Sequence, residues 1–332
     1  MAFLFDLGGM MKLVTFQASN GKEHVGIRVE NKNKEGMILD LTSEDPQTFP
    51  DMLTLIRHQD QALPKARAFL QKHDKGDFPS NLLSPEKDTH LLSPIPRPVS
   101  MRDGYAFRQH VEAARRNRGV PMIPEFDDFP IFYFTNHLAV TGPGDVVVQE
   151  RHLEKLDYEL EIGIVTGREG INVPANKADE LIFGYMIMND WSARALQMQE
   201  MKLNLGPAKG KDFATSLGPY LVPREDLASF AHKTPHGEKH DLKMTCSVNG
   251  KQLSAGNLKD ISWTFAQILE RISYGTKVHP GEVIGSGTVG TGCLLELNGS
   301  KITDNLWIKD GDEVTMTVDE LGTLTNKIVL RK

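Results

Sequence analysis

A chain of 332 residues with 39% hydrophobic and 25% charged side chains can bury one large core, or one large core beside a smaller one. A net charge of -6, without a basic stripe carrying interleaved aromatics, excludes a nucleic-acid footprint, and no run approaches the roughly 18 apolar residues needed to span a membrane. Cys246 and Cys293 make neither a disulfide framework nor a zinc spacing, which points to a reducing, cytoplasmic setting.

Residues 1–10 lack a basic leader and contain Asp6, so they read as a tag or a miscalled start, with Met10-Met11-Lys12 the more natural beginning. Lys12–Ala18 and Val25–Glu30 alternate as strands around the turn Ser19-Asn20-Gly21, and Met37–Leu41 is a third. Helical spacing follows in Met52, Leu53, Leu55 and Ile56, then in Ala66, Phe69 and Leu70, with Asp51 and Pro64 as the two starts. Prolines 79, 85, 94, 96 and 98 mark a crossing, which places a boundary near residue 95. Residues 11–95 are then a small β-rich domain with a helical connector, and 96–332 the larger domain.

Asp103 to Arg118 reads as a helix stopped by Gly119, with Arg115-Arg116-Asn117-Arg118 a helix end or an anion site for substrate. Strands are expected at Ile131–Phe134, Asp145–Val148, Asp157–Val165, Leu181–Asn189, Tyr220–Val222, Lys243–Val248 and Lys251–Leu253, the last two around Asn249-Gly250. Asn176 is the expected cap of a short helix, Trp191–Met198 a helical turn, and Trp263–Tyr274 the best amphipathic helix of this half. Val283–Ile284, Leu294–Leu297, Glu313–Val318 and Lys327–Leu330 close the chain as strands.

Chemistry gathers in a few stretches. In Asp157–Val165 a period of two puts Glu159 and Glu161 on one face, while Leu160, Ile162 and Ile164 face the core. Carboxylates two residues apart on a strand lie roughly 6–7 Å from each other, near enough to share one cation. Either a divalent metal neutralises them, or the strand is an edge whose acidic face looks into water. Asp190 ends an apolar strand and caps a helix or faces a cleft. Lys211, in a glycine-flanked loop, is a solvated lysine or a cation for an anionic substrate or oxyanion. Asp103 is a helix cap or a further acid, and His110, seven residues on, an ordinary helix histidine or a base. Gly285-x-Gly287-x-x-Gly290 has dinucleotide-fingerprint spacing, but the strand expected after it rules that reading out. Together Asp103, Glu159, Glu161 and Asp190 form an all-oxygen set suited to Mg²⁺, Ca²⁺ or Mn²⁺.

The segments Asp157-Tyr158-Glu159-Leu160-Glu161, Met188-Asn189-Asp190-Trp191-Ser192-Ala193-Arg194, Gly210-Lys211-Asp212-Phe213 and Gly287-Thr288 with Leu294–Leu297 resemble the fumarylacetoacetate hydrolase family over roughly residues 95–330. The resemblance implies an α+β, β-rich fold. Its mixed-sheet C-terminal domain would follow a small SH3-like β-barrel domain, and the whole would act as a homodimer. It places the metal on Asp103, Glu159, Glu161 and Asp190, and the base on His110 with Glu296 in the late L-E-L strand. Lys211 is then catalytic, while Tyr105, Gln197, Thr288 and Arg118 (or Arg115) touch substrate or a neighbouring cation. Met201 stands where the hydrolase has a tyrosine, and Asn136-His137 is the only counterpart of its Y-H-G-R-type loop. The implied reaction is hydrolysis of a C–C bond in a 1,3-diketo acid, fumarylacetoacetate in aromatic amino-acid catabolism. Acylpyruvate hydrolase, oxaloacetate decarboxylase and 2-keto-dienoate hydratase or isomerase are the alternatives within the family.

Overall fold

Strand-forming stretches dominate the N-terminal segment, and in β1 (Lys12–Gln17) successive residues Leu13 and Val14 are both fully buried. A strand covered on both faces needs packing above and below as well as partners at its edges. In the computed structural model, which describes residues 10–76 and 79–331, β1 pairs antiparallel with β2 (Glu23–Glu30), and β2 with β3 (Gly36–Asp40). The other edge of β1 meets a strand of the C-terminal half, with Leu13 opposite Leu221. Among the described residues these strands therefore form an open run of a larger sheet, in place of the expected closed barrel. Residues 1–9, read above as a tag or miscalled start, lie outside the described residues.

Asp51 caps α1 (Met52–Arg57) by accepting from the Thr54 N–H at 2.8 Å, as its sequence position suggested. Pro64 does not start the next helix but lies inside α2 (Gln59–Asp74), which begins at once after α1. Asp103 lies in the strand β4 (Met101–Gly104), and the helix expected from it begins only at Arg108 as α3 (Arg108–Asn117). Parallel pairing with the late strand, Gly285 opposite Asp103, holds this segment extended.

The remaining elements are β5 (Phe132–Phe134), β6 (Gly144–Val148), β7 (Leu160–Thr166), β8 (Ile182–Asp190), α4 (Arg194–Glu200), β9 (Thr215–Pro223), β10 (Lys243–Val248), β11 (Lys251–Asn257), α5 (Phe265–Ser273), β12 (Val283–Gly285), α6 (Leu294–Gly299), β13 (Glu313–Val318) and β14 (Gly322–Leu330). The main path of a 12-stranded sheet runs Leu83–Pro85, β3, β2, β1, β9, β8, β7, β12, β4, β5. A second sheet, β11-β10-β13-β14-β6, packs beside it over a core that includes Ile162, Ile187, Met244 and Met316.

Two further expectations are corrected by tertiary contacts. The strand read as 157–165 breaks after Leu156–Asp157, which pairs with Ser192–Ala193, and resumes as β7. Leu294–Leu297 is helical: Leu294 and Leu297, three residues apart, share the buried face, and the Asp157 carboxylate accepts the N–H groups of Leu294 (2.7 Å) and Leu295 (3.0 Å). Pro174, not Asn176, precedes the short helix Ala175–Ala178.

Leu221 lies fully buried where β9 meets β1. Leu221→Ala is expected to lower unfolding free energy by about 2–5 kcal/mol, as chemical denaturation would measure.

Candidate metal and acid–base site

Neighbouring strands carry the acids. β7 supplies Glu161, with Glu159 at its entrance, β8 ends in Asp190, and β4 holds Asp103. Between β7 and β4 lies β12, pairing Gly163 with Gly285 on one side and Gly285 with Asp103 on the other. Gly285 lets the carboxylates close up, since a Cβ there would collide with Asp103 Oδ1 and the Met188 sulfur. All four acids are buried, and each offers an oxygen within 4.8 Å of the others. The sequence reading named these four, and the fold brings them together.

Their partners are unequal. Lys211 bonds Glu159 and donates to Asp190 Oδ2 at 2.6 Å, while Arg194 donates to Glu159 Oε1 at 2.7 Å and to Asp157 Oδ2 at 2.8 Å. Tyr133 donates its hydroxyl to Asp190 Oδ2 at 2.5 Å. Asp103 and Glu161 hydrogen-bond each other, Glu161 holding the shared proton, and otherwise receive neutral donors: the Gly287 N–H, at 3.1 Å from each, and the Thr288 hydroxyl, at 3.3 Å from Glu161 Oε1. Two cations, Lys211 and Arg194, thus stand against five buried carboxylates. Asp190 Oδ1 has no hydrogen-bond partner at all.

The electrostatics follow from this imbalance. Burial, then the Asp190 charge, pushes Asp103 up to about 7. Burial and the Asp103, Glu159 and Asp190 charges raise Glu161 well above the carboxylate range, and burial likewise raises Asp190. Burial would raise Glu159 too, but Lys211, Arg194 and His110 outweigh it and hold that carboxyl low. An all-oxygen set with surplus negative charge and an orphaned buried oxygen fits a hard divalent cation, which Asp103, Glu159, Glu161 and Asp190 could hold.

Beside the acids, α3 presents His110, whose Nδ1 lies 2.7 Å from Glu296 Oε2 on α6. The Thr291 N–H fixes the other Glu296 oxygen at 2.9 Å. The Tyr105 ring stands edge-on to the His110 ring at 5.8 Å. Gln197 accepts from Arg194 at 3.0 Å through its amide oxygen. Arg118 sits exposed at the end of α3 with Nε on the Ala114 carbonyl at 3.0 Å, touching none of the acids, although its charge reaches the Tyr105 hydroxyl. Met201 is half exposed. Asn136 holds the lysine loop by donating to the Asp212 carbonyl at 3.0 Å.

Sequence reasoning missed Asp157, Arg194, Tyr133, Gly285 and Gly287 as parts of this site. Arg194 stood within the quoted N-D-W-S-A-R run, and both glycines within the dismissed glycine motif. That motif lines acids rather than a nucleotide.

Comparison with known proteins agrees with this layout. The sequence model described as fumarylacetoacetate (FAA) hydrolase C-terminal matches residues 100–329. "Oxaloacetate tautomerase YisK" of Bacillus subtilis is 27% identical over 96% of this chain and 100% of its own length. The human mitochondrial "Oxaloacetate tautomerase FAHD2A" is 28% identical over 96% and 92%. Rice "Fumarylacetoacetase" is 30% identical over 81% and 78%. Among solved structures, a fumarylacetoacetate hydrolase from Exiguobacterium antarcticum superposes with a TM-score of 0.70 at 23% identity, over 97% of this chain and 100% of that one.

Mg²⁺ added to chelator-treated protein should stabilise it by about 2.7 kcal/mol at a hundred times its Kd, read as a rise in Tm. Glu161→Gln should abolish that gain while making the metal-free protein more stable near neutral pH, because the glutamine stays neutral there without the proton that Glu161 must take up on folding. A raised carboxyl binds its proton more tightly in the folded state, so its stabilisation is lost as pH rises. Metal-free protein should accordingly lose Tm between the ordinary Asp value of 3.8 and about 7, and saturating Mg²⁺ should flatten that slope.

Proposed function

Because the chain belongs to the fumarylacetoacetate hydrolase family, and is one of its enzymes, we propose that it acts on small enolisable 2-oxo acids, interconverting the enol and keto forms of an oxaloacetate-like dicarboxylic acid. The observation that carries this reading is the His110–Glu296 pair, 2.7 Å apart and near enough to the acid cluster for His110 to lower the Glu159 carboxyl. A divalent ion on the four acids, Mg²⁺ or Ca²⁺ with Mn²⁺ third, supplies Lewis acidity to the bound 2-oxo carboxylate.

The chain's own residues do the rest. Glu296 accepts the Nδ1 proton of His110, which leaves Nε2 as the base. Nε2 takes the proton from the enol hydroxyl and delivers it to C3, and in the reverse direction takes it from C3. Glu296 stabilises the imidazolium formed between the two transfers. Lys211, raised by the Asp190 and Glu159 charges against the opposing effect of burial, stays protonated and offsets enolate charge. With its oxygen engaged by Arg194, Gln197 keeps its amide nitrogen as a donor for the substrate.

C–C hydrolysis of a 1,3-diketo acid such as fumarylacetoacetate is the second reading, favoured by the likeness to rice fumarylacetoacetase. There Nε2 would take its proton from water, hydroxide would add to the carbonyl, and the cleaved bond would leave its electron pair on an enolate. Met201, in place of the hydrolase tyrosine, bears on which substrate fits more than on the type of reaction. The family resemblance also supports a homodimer, and the two unpaired, buried cysteines support a reducing compartment such as the cytoplasm.

Enol-oxaloacetate and fumarylacetoacetate, each followed by loss of enol absorbance with products identified, decide between the two. His110→Ala should reduce kcat about 10²–10⁴-fold while leaving Mg²⁺ affinity within a few-fold of wild type. Near wild-type turnover in that variant would remove His110 as the base.

A further inference from the structure

Among the described residues, one other group of metal-donor side chains converges as the four acids do. His110, Cys293 and Glu296, all buried, each place one donor atom within 4.8 Å of the other two. The donors are an imidazole nitrogen, a sulfur and a carboxylate oxygen, quite unlike the all-oxygen set beside them. Mg²⁺ and Ca²⁺ favour oxygen, whereas borderline cations such as Zn²⁺ and Co²⁺ take nitrogen, sulfur and oxygen together in tetrahedral sites.

Cys293 has no part in the proton transfer proposed above. It immediately precedes α6, where the Glu296 N–H approaches its sulfur. Glu296 is already oriented, with Oε1 held by the Thr291 N–H and Oε2 directed at His110.

We propose that His110, Cys293 and Glu296 form a second cation site, selective for Zn²⁺ and similar borderline metals, whose occupation silences the enzyme by withdrawing its base. As the sulfur–metal bond forms, the thiol proton leaves to solvent; the cation takes the place of the His110–Glu296 hydrogen bond, and the Nδ1 proton of His110 moves to Nε2, which removes the base. Water fills the fourth position. The binding half stands on the three residues themselves, and the silencing half rests on the role of His110 given under Proposed function. Neighbouring clusters would thus sort cations by softness, the hard one activating and the borderline one inhibiting.

Enzyme saturated with Mg²⁺ and titrated with Co²⁺ should take up one equivalent, with a near-ultraviolet thiolate-to-cobalt charge-transfer band. Cys293→Ser and Cys293→Ala should lack the band, turn over as wild type does without added zinc, and be at least tenfold less sensitive to Zn²⁺. Absence of the band in wild type overturns the site. Equal zinc sensitivity in wild type and both variants also overturns it, because zinc would then be acting at the four acids. A band that vanishes in Cys293→Ser, with turnover indifferent to Zn²⁺, keeps the cation site and instead removes His110 as the base.

Discussion

Uncompensated negative charge in a dry interior is the constraint on which this structure depends. Asp103, Glu159, Glu161 and Asp190 are buried within reach of one another, and Lys211 and Arg194 offset only part of their charge. Left alone, such a cluster drives the strands apart or takes up protons, as the raised Asp103 and Glu161 carboxyls show. Paired strands resist the first outcome, since β7, β8, β12 and β4 are tied by continuous ladders. A hard dication satisfies the same oxygens without protons. The site is therefore a rigid frame whose charge selects what enters it.

Asp157 joins this cluster to the acid–base pair. Its carboxylate accepts the first N–H groups of α6, which carries Glu296, and also accepts from Arg194, which in turn donates to Glu159. The strand break at Tyr158 makes this possible, because the Glu159 N–H turns to the Asn189 side chain at 3.0 Å instead of a strand partner. One buried arginine thereby links the acid cluster to the helix that carries Glu296, the partner of His110. Burial holds Asp157 above its ordinary value against the opposing Arg194 charge, so this link is formed at an electrostatic cost.

The four acids lie deep in the sheet, whereas His110 and Glu296 are brought beside them by the helices α3 and α6. Met198, Met201, Leu203 and Leu205 are exposed on the segment between Gln197 and Lys211, and Arg118 is exposed at the end of α3.

Much of this was legible in the residue order. Alternation in Asp157–Val165 placed Glu159 and Glu161 on one face, and the apolar run before Asp190 placed it at a strand's end, because strand periodicity is a local property. Pairing across the sheet is not local. Nothing in Leu294–Leu297 distinguishes strand from helix until Asp157, far away in the chain, accepts its N–H groups. Asp103 resembled a helix cap until parallel pairing with Gly285 drew it into a strand. The N-terminal strands looked like a closed unit, yet burial of both faces of β1 and its pairing with β9 opened them into the common sheet. The sequence by itself determined which groups could bind a cation or move a proton. Only the tertiary structure decided which of them share one buried, undercharged space, because that depends on register and close approach between strands distant in the chain.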